Sequence, residues 1–283
     1  MTKIIAANWK MNNGFDEANQ WLANFVDFVL SNEDAIQDVD IVVCPPIFLI
    51  EYLDNEFFGS AFDAFEEDAI KENKTVDDFS ADELFEMVTS NRPFFLGAQD
   101  CHYEKSGSFT GDVSAEMVKS LGADYVILGH SERRKNHFEN DEIVAKKVAA
   151  AVDQGITPIL CVGESKEIRD QGKHLEFVYK QLFFSIPKGV KFDRLIIAYE
   201  PIWSIGTGLI PTAAEISEMV KLIKKILVEK GADFAKEVFV IYGGSVDENN
   251  AKEIMAIEDV DGVLVGKASL DVDKFAKICV SSS

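Results

Sequence analysis

The sequence predicts a closed parallel (β/α)8 barrel. Three observations carry that reading. Eight short runs rich in aliphatic and β-branched residues recur along the chain, and stretches with helical periodicity lie between them. The runs are close to continuously apolar rather than alternating, as strands covered on both faces are. The length of 283 residues suits a barrel of about 250 residues plus one insertion. An open doubly wound sheet shares the alternation and is the competing architecture on pattern alone.

Barrel enzymes gather their chemistry at the C-terminal ends of the strands. Each strand is therefore read together with the residues that follow it. The first, Lys3–Asn8, runs into Asn8-Trp9-Lys10, where an amide and an ammonium suit a polar, anionic ligand. A lysine so placed is also an ordinary surface residue. The second, Asp40–Cys44, is separated from the third, Phe94–Gln99, by roughly fifty residues, against about thirty for most other connections. The excess falls at about 59–91 and is acid-rich, with Glu66-Glu67-Asp68 and Asp77-Asp78. Ser80-Ala81-Asp82-Glu83 ahead of Leu84-Phe85 looks like a helix start. An insertion following the second helix would emerge at the N-terminal face of the barrel, away from the chemistry, as a solvated appendage or a docking surface.

The fourth strand, Tyr125–Gly129, is followed by His130-Ser131-Glu132-Arg133-Arg134 and a helix over Asp141–Gln154. An imidazole at a strand end can polarise a carbonyl or shuttle protons, or simply serve a structural hydrogen bond. A helix starting at Ser131 would put its positive end beneath the ring and keep it neutral. The fifth strand is Thr157–Val162. The sixth, Leu195–Glu200, ends on a carboxylate, and Pro201-Ile202-Trp203-Ser204-Ile205-Gly206-Thr207-Gly208 follows. A proline and two glycines make that stretch a hinged lid able to present N–H groups to an anion. Glu200 under a lid is a base shielded from water; a structural ion pair is the plainer alternative. A helix over Ala213–Lys230 follows. The seventh strand, Val238–Tyr242, leads into Gly243-Gly244-Ser245-Val246 and a helix over Asp247–Ile257. The eighth, Gly262–Val265, leads into Gly266-Lys267-Ala268-Ser269. Glycines make turns everywhere, but two such turns after strands seven and eight mark a phosphate site.

Composition bounds the function. A net charge of −21 argues against nucleic acid and anionic membranes as partners. It also requires any anion site to be local. No run approaches the ~18 apolar residues of a membrane span. The N-terminal apolar stretch is too short for a signal peptide, and Cys44, Cys101, Cys161 and Cys279 show no metal-ligand or disulfide spacing, so a cytoplasmic setting is expected. No second domain is indicated, and the whole of 1–283 reads as one barrel domain.

Asn8-Trp9-Lys10, Gly129 through Arg134, Tyr199-Glu200-Pro201 with Gly206-Thr207-Gly208, and Tyr242-Gly243-Gly244-Ser245 occur in one order. In that order the chain closely resembles the triosephosphate isomerases, end to end apart from the insertion, and their TIM barrel is the fold implied. These enzymes are themselves the reference case for a carboxylate base working with a neutral histidine. The resemblance implies interconversion of dihydroxyacetone phosphate and glyceraldehyde 3-phosphate through an enediol(ate), serving glycolysis, gluconeogenesis and the pentose shunt. It implies that Glu200 moves the proton between carbons, His130 serves the oxygens, and Lys10 balances charge. It assigns substrate contacts to Asn8, Lys10, Gly206, Ser245, Gly266 and Lys267, and the carboxylate holding Lys10 to Glu132. No metal or organic cofactor is implied. Cys101–Asp112 resembles the loop by which one subunit enters its neighbour, with Thr110 reaching the other active site, so a homodimer is implied. A lyase or aldolase would need a Schiff-base lysine within a strand, and none is seen. A non-catalytic binding protein using the acidic insertion would have no need of both Glu200 and His130.

Three departures from the family pattern stand out. Lys267 replaces a second glycine; it is strained if φ is positive, and otherwise keeps its N–H and adds a cation beside the phosphate. Leu209-Ile210-Pro211 ends the lid with a stiffer hinge, from which slower opening is expected. Asp100 stands where the family usually has asparagine.

Overall fold

A computed structural model describes residues 2–59, 75, 78–80, 94–205, 209–230 and 235–281. Eight parallel strands close into a barrel in chain order. They are β1 (Lys3–Asn8), β2 (Val39–Cys44), β3 (Phe95–Ala98), β4 (Tyr125–Leu128), β5 (Thr157–Val162), β6 (Phe192–Tyr199), β7 (Ala235–Tyr242) and β8 (Gly262–Val265). The seam is β1 against β8, with Ile4 opposite Gly262 and Ala7 opposite Val265. Glycine is required at that seam: a Cβ on Gly262 would lie 1.8 Å from the Ile4 carbonyl oxygen. Most of the insertion at 59–91, including the helix start expected after Ser80, lies outside the described residues.

The continuous apolar runs divide by the two-residue period of a strand. Ile4, Ala6, Val42, Cys44, Ile127, Ile159, Cys161, Ile196, Ala198 and Ile241 fill the barrel interior. Their sequence neighbours Ile5, Ala7, Val43, Val126, Leu160 and Ile197 point outward into a second core beneath the helices. Helix Phe15–Ser31 covers part of it with Ala18, Trp21, Leu22, Phe25 and Val29, one stripe at helical spacing. Helix Ala213–Glu229 does the same with Ile216, Met219, Val220, Ile223 and Leu227, and a Thr212/Glu215 capping box fixes its start. Full burial of each such side chain contributes about 1.5–3 kcal/mol.

The elements run where the sequence places them, with three informative shifts. β6 and β7 begin three residues earlier than expected, at Phe192 and Ala235. Asp193, Arg194, Lys236 and Glu237 break the apolar pattern there, yet Arg194 pairs in register with Glu237, binds Asp40 at 2.6 Å and donates to the Tyr125 hydroxyl at 2.8 Å. The helix expected over Asp247–Ile257 is confined to Ala251–Met255. Asp247 instead accepts the amides of Asn249 and Asn250, closing a local turn that competes with helix.

Candidate active site

Glu200 follows the last residue of β6, and His130 lies two residues beyond β4. The barrel brings them together: His130 Nε2 lies 2.9 Å from Glu200 Oε1. Both are buried, at 6% and 2% exposure, so water does not screen the pair. The other carboxylate oxygen, Oε2, accepts the Ser131 amide at 3.1 Å. Gly163 and Gly243 make room for Glu200. A Cβ on Gly163 would sit 1.6 Å from the Glu200 carbonyl oxygen, and one on Gly243 would sit 3.0 Å from its Cγ.

His130 caps the helix Ser131–Asn136, and its Nδ1 accepts the Glu132 amide at 3.2 Å. A ring nitrogen that accepts carries no proton, so the neutral ring holds its hydrogen on Nε2, facing Glu200. The expectation that the helix end would depress the pKa is reversed in this arrangement. Burial disfavours the charged ring, but the charge and hydrogen bond of Glu200, aided by Glu132, outweigh it and raise the His130 pKa above the ordinary imidazole value.

Lys10 Nζ binds Glu132 Oε1 at 2.6 Å, which ties the β1 end to the His130 helix. The Lys10 backbone is left-handed, with φ of 55°. For a lysine this costs about 1–2 kcal/mol. Both of its peptide groups are held: its N–H donates to Asn8 Oδ1 at 3.0 Å and its carbonyl accepts from Gln99 Nε2 at 2.8 Å. The strain considered at Lys267 is thus found at Lys10. Lys267 is absent from the four positive-φ non-glycine residues among those described.

Two hollows meet at Lys10. One, of about 480 Å³, is lined by Asn8, Gln99, His130 and Glu132. The other, of about 740 Å³, is lined by Gly244, Ser245, Gly266 and Lys267. Gly266 brings the β8 turn against the Lys10 chain, since its Cβ position lies 3.7 Å from Lys10 Cε. Ser245 Oγ donates to the Ser204 carbonyl at 2.6 Å, joining the β7 turn to the start of the lid. Gly206, assigned to the substrate by resemblance, lies outside the described residues. A third hollow of about 660 Å³ lies beside Tyr103, Lys146 and Asp153, away from every strand-end group named above.

Glu164 was not anticipated. It is fully buried after β5 and accepts from the Tyr199 hydroxyl at 3.1 Å and from Trp203 Nε1 at 3.0 Å. Arg169 lies 3.5 Å from the same oxygen and over the Trp203 ring. These contacts hold Trp203, in the stretch expected to be a lid. The signal for Glu164 was a carboxylate two residues beyond a strand, close to the signal that marks Glu200. Among the described residues, no group of three or more His, Cys, Asp or Glu is placed to hold a metal ion, and no helix is long and apolar enough to cross a membrane.

A parallel eightfold barrel with a buried carboxylate–imidazole pair at its mouth defines an enzyme class built for acid–base chemistry on a small substrate. A family model described as triosephosphate isomerase matches residues 3–76 and 74–282. A triosephosphate isomerase of Bradyrhizobium sp. (strain ORS 278) is 38% identical, over 97% of this chain and 96% of that one. One from Aquifex aeolicus is 37% identical, over 99% and 100%. The crystal structure of triosephosphate isomerase from Bartonella henselae superposes with a TM-score of 0.77 at 33% identity, covering 99% of each chain. The chain belongs to the triosephosphate isomerase family.

Proposed function

We propose that Glu200, His130 and Lys10 carry out the isomerisation of dihydroxyacetone phosphate and D-glyceraldehyde 3-phosphate in this chain. The observation that carries the assignment is the 2.9 Å contact between a buried carboxylate and a buried imidazole from β6 and β4. Glu200 leaves Ser131 and the ring, takes a proton from the carbon beside the carbonyl, and returns it to the neighbouring carbon. His130 Nε2–H then faces the substrate oxygens. With the carboxylate drawn away, the larger influence that raised the ring's pKa departs, and burial, the Lys10 charge and the Glu132 amide at Nδ1 favour the neutral ring against the smaller pull of the Glu132 carboxylate. Lys10, held by Glu132, balances the charge on the enediolate and on the phosphate. Asn8 supports Lys10 by accepting its amide.

The phosphate is assigned to the hollow of Ser245, Gly266 and Lys267, with Gly206 closing from the lid. Backbone amides and the Lys10 ammonium act there at short range, which the overall charge of −21 demands. Closure over the site excludes water and hinders loss of phosphate from the enediolate. Two copies of the chain form the working unit, each sending Thr110 on the Cys101–Asp112 loop to the other, in a cytoplasmic setting. The whole of 1–283 acts as one barrel domain, and the acidic stretch at 59–91 stands apart from the catalysis.

The test is a coupled assay of purified protein with glyceraldehyde 3-phosphate. Glu200→Asp and His130→Gln should each lower kcat by about two to four orders of magnitude with an unchanged circular dichroism spectrum. Full activity in either variant would overturn the assignment.

A further inference from the structure

Beside the catalytic groups lies a second buried charge cluster with no part in the chemistry described above. Lys147 of helix Asp141–Asp153, only 4% exposed, is gripped by both oxygens of Asp100 at 2.8 and 2.7 Å and by Glu139 Oε1 at 2.7 Å. Arg133 of helix Ser131–Asn136 completes the square, bonding Asp100 Oδ2 at 2.9 Å and Glu139 Oε1 at 2.6 Å. Two cations and two carboxylates thus cancel. The balance depends on Asp100, because a neutral asparagine at that position would leave one unmatched positive charge.

The cluster touches catalytic machinery on two sides. Asp100 directly follows Gln99, whose side chain holds the strained Lys10 carbonyl at 2.8 Å and the Cys44 carbonyl at 3.0 Å. Arg133 directly follows Glu132, whose carboxylate holds Lys10 and whose amide holds His130. We propose that Asp100 is a positioning residue: its carboxylate, through Arg133, holds the His130–Glu132 turn against the Gln99–Lys10 contact, and the hold relaxes when the carboxylate is neutralised. This rests on the isomerase reading of the same site.

The groups facing Asp100 are Lys147 and Arg133 from the two helices, Glu139 from the turn between them, and the buried Cys101 thiol beside it in the chain. Burial raises its pKa, Lys147 and Arg133 lower it, and Glu139 raises it; the result is about 6. The hold is therefore complete in mildly alkaline solution and lost in mild acid. The sign for stability is opposite. A raised carboxyl favours the fold most when protonated, and that contribution is lost as pH rises through about 6. The cluster keeps the turn in place at some expense of stability.

The experiment compares wild type with Asp100→Asn, which keeps the shape and removes the titration. The ratio of wild-type to variant kcat cancels the titration of the substrate phosphate. It should be about five- to tenfold at pH 8 and approach one near pH 5. A ratio that does not change with pH, whether one or larger, overturns the proposal. A second measurement uses the wild type alone and needs no activity. By NMR, the Asp100 carboxyl carbon and the Ser131 and Glu132 amides should shift with one common midpoint; separate midpoints overturn it. Wild-type protein without isomerase activity would refute the functional reading, and the NMR midpoints would still decide this one.

Discussion

Lys10 and Lys267 show how two cations of one site differ in what holds them. Lys10 is locked by its backbone strain, by Asn8 and Gln99, and by its bond to Glu132. Lys267 opens the short 3-10 turn Lys267–Leu270, has no left-handed backbone, and makes no ion pair among the described residues. Its side chain is exposed at the rim of the hollow formed with Ser245 and Gly266. In the proposed phosphate site it would therefore act as a screened charge rather than as a fixed ligand. Lys267→Gly should leave kcat unchanged and raise KM about two- to fivefold at low salt, with the difference shrinking in 0.5 M salt. A much lower KM in the variant would mean that lysine strains the turn after all. The residues with strand-end chemistry, Glu200, His130 and Lys10, were legible because a carboxylate, an imidazole and an ammonium each follow an apolar run. The strain on Lys10 was not legible. It is held by Gln99, just after β3, through a contact between residues 89 apart.

Among elements, the described residues at the two ends of the proposed lid, Pro201–Pro211, are held unequally. At the first, Trp203 is bound to the buried Glu164 and stacked under Arg169, while Ser204 receives the Ser245 hydroxyl. At the second, Pro211 is buried and leads directly into the Thr212/Glu215 capping box. A proline that cannot rotate about φ, followed by a fixed helix start, leaves little backbone to absorb the motion. Pro211→Ala should speed lid exchange about threefold by restoring that freedom, as read by relaxation dispersion at Ile205 and Leu209. Exchange equally fast in both proteins would show that the second hinge does not set the rate. The lid was read from Pro201, Gly206 and Gly208 alone, and the two glycines lie outside the described residues. Glu164 was passed over because its partners, Tyr199 and Trp203, come from residues 35 and 39 positions away. Strand order and helix faces were legible for a simpler reason, since their periodicity is local. The early starts of β6 and β7 were hidden because charged residues can pair at the barrel's open end.

At the scale of the whole molecule, the barrel mouth carries an apolar surface that a solitary chain would leave in water. Met11 is 96% exposed directly after the strained Lys10, and Phe138 is 83% exposed in the turn between the His130 helix and the Lys147 helix. Phe15 and Phe48 are half exposed and pack edge to face at 5.4 Å. The Cys101–Asp112 loop projects Phe109 and Thr110, and it is preformed. The His102 ring lies 4.3 Å from that of Phe109, and a Cβ on Gly107 would come within 2.9 Å of Phe109 Cε2. A preformed loop with an apolar tip, together with these exposed apolar residues, suits an isologous contact in which each copy covers the other's. Covering Met11 would add to the hold that Asn8, Gln99 and Glu132 already place on Lys10. In the proposed dimer, assembly and chemistry would be linked through one peptide unit. Phe109→Glu changes an exposed side chain, so each barrel should still fold, but it places a charge in the contact. In sedimentation velocity the wild type should run at twice the chain mass of 31.5 kDa, and the variant at the single-chain mass. The variant's kcat should fall by up to about a hundredfold, the cost of a shift of about an ångström in Lys10 once that added hold is lost. A monomeric variant with undiminished kcat would break the link between assembly and catalysis, and a wild type that sediments as a single chain would remove the dimer itself.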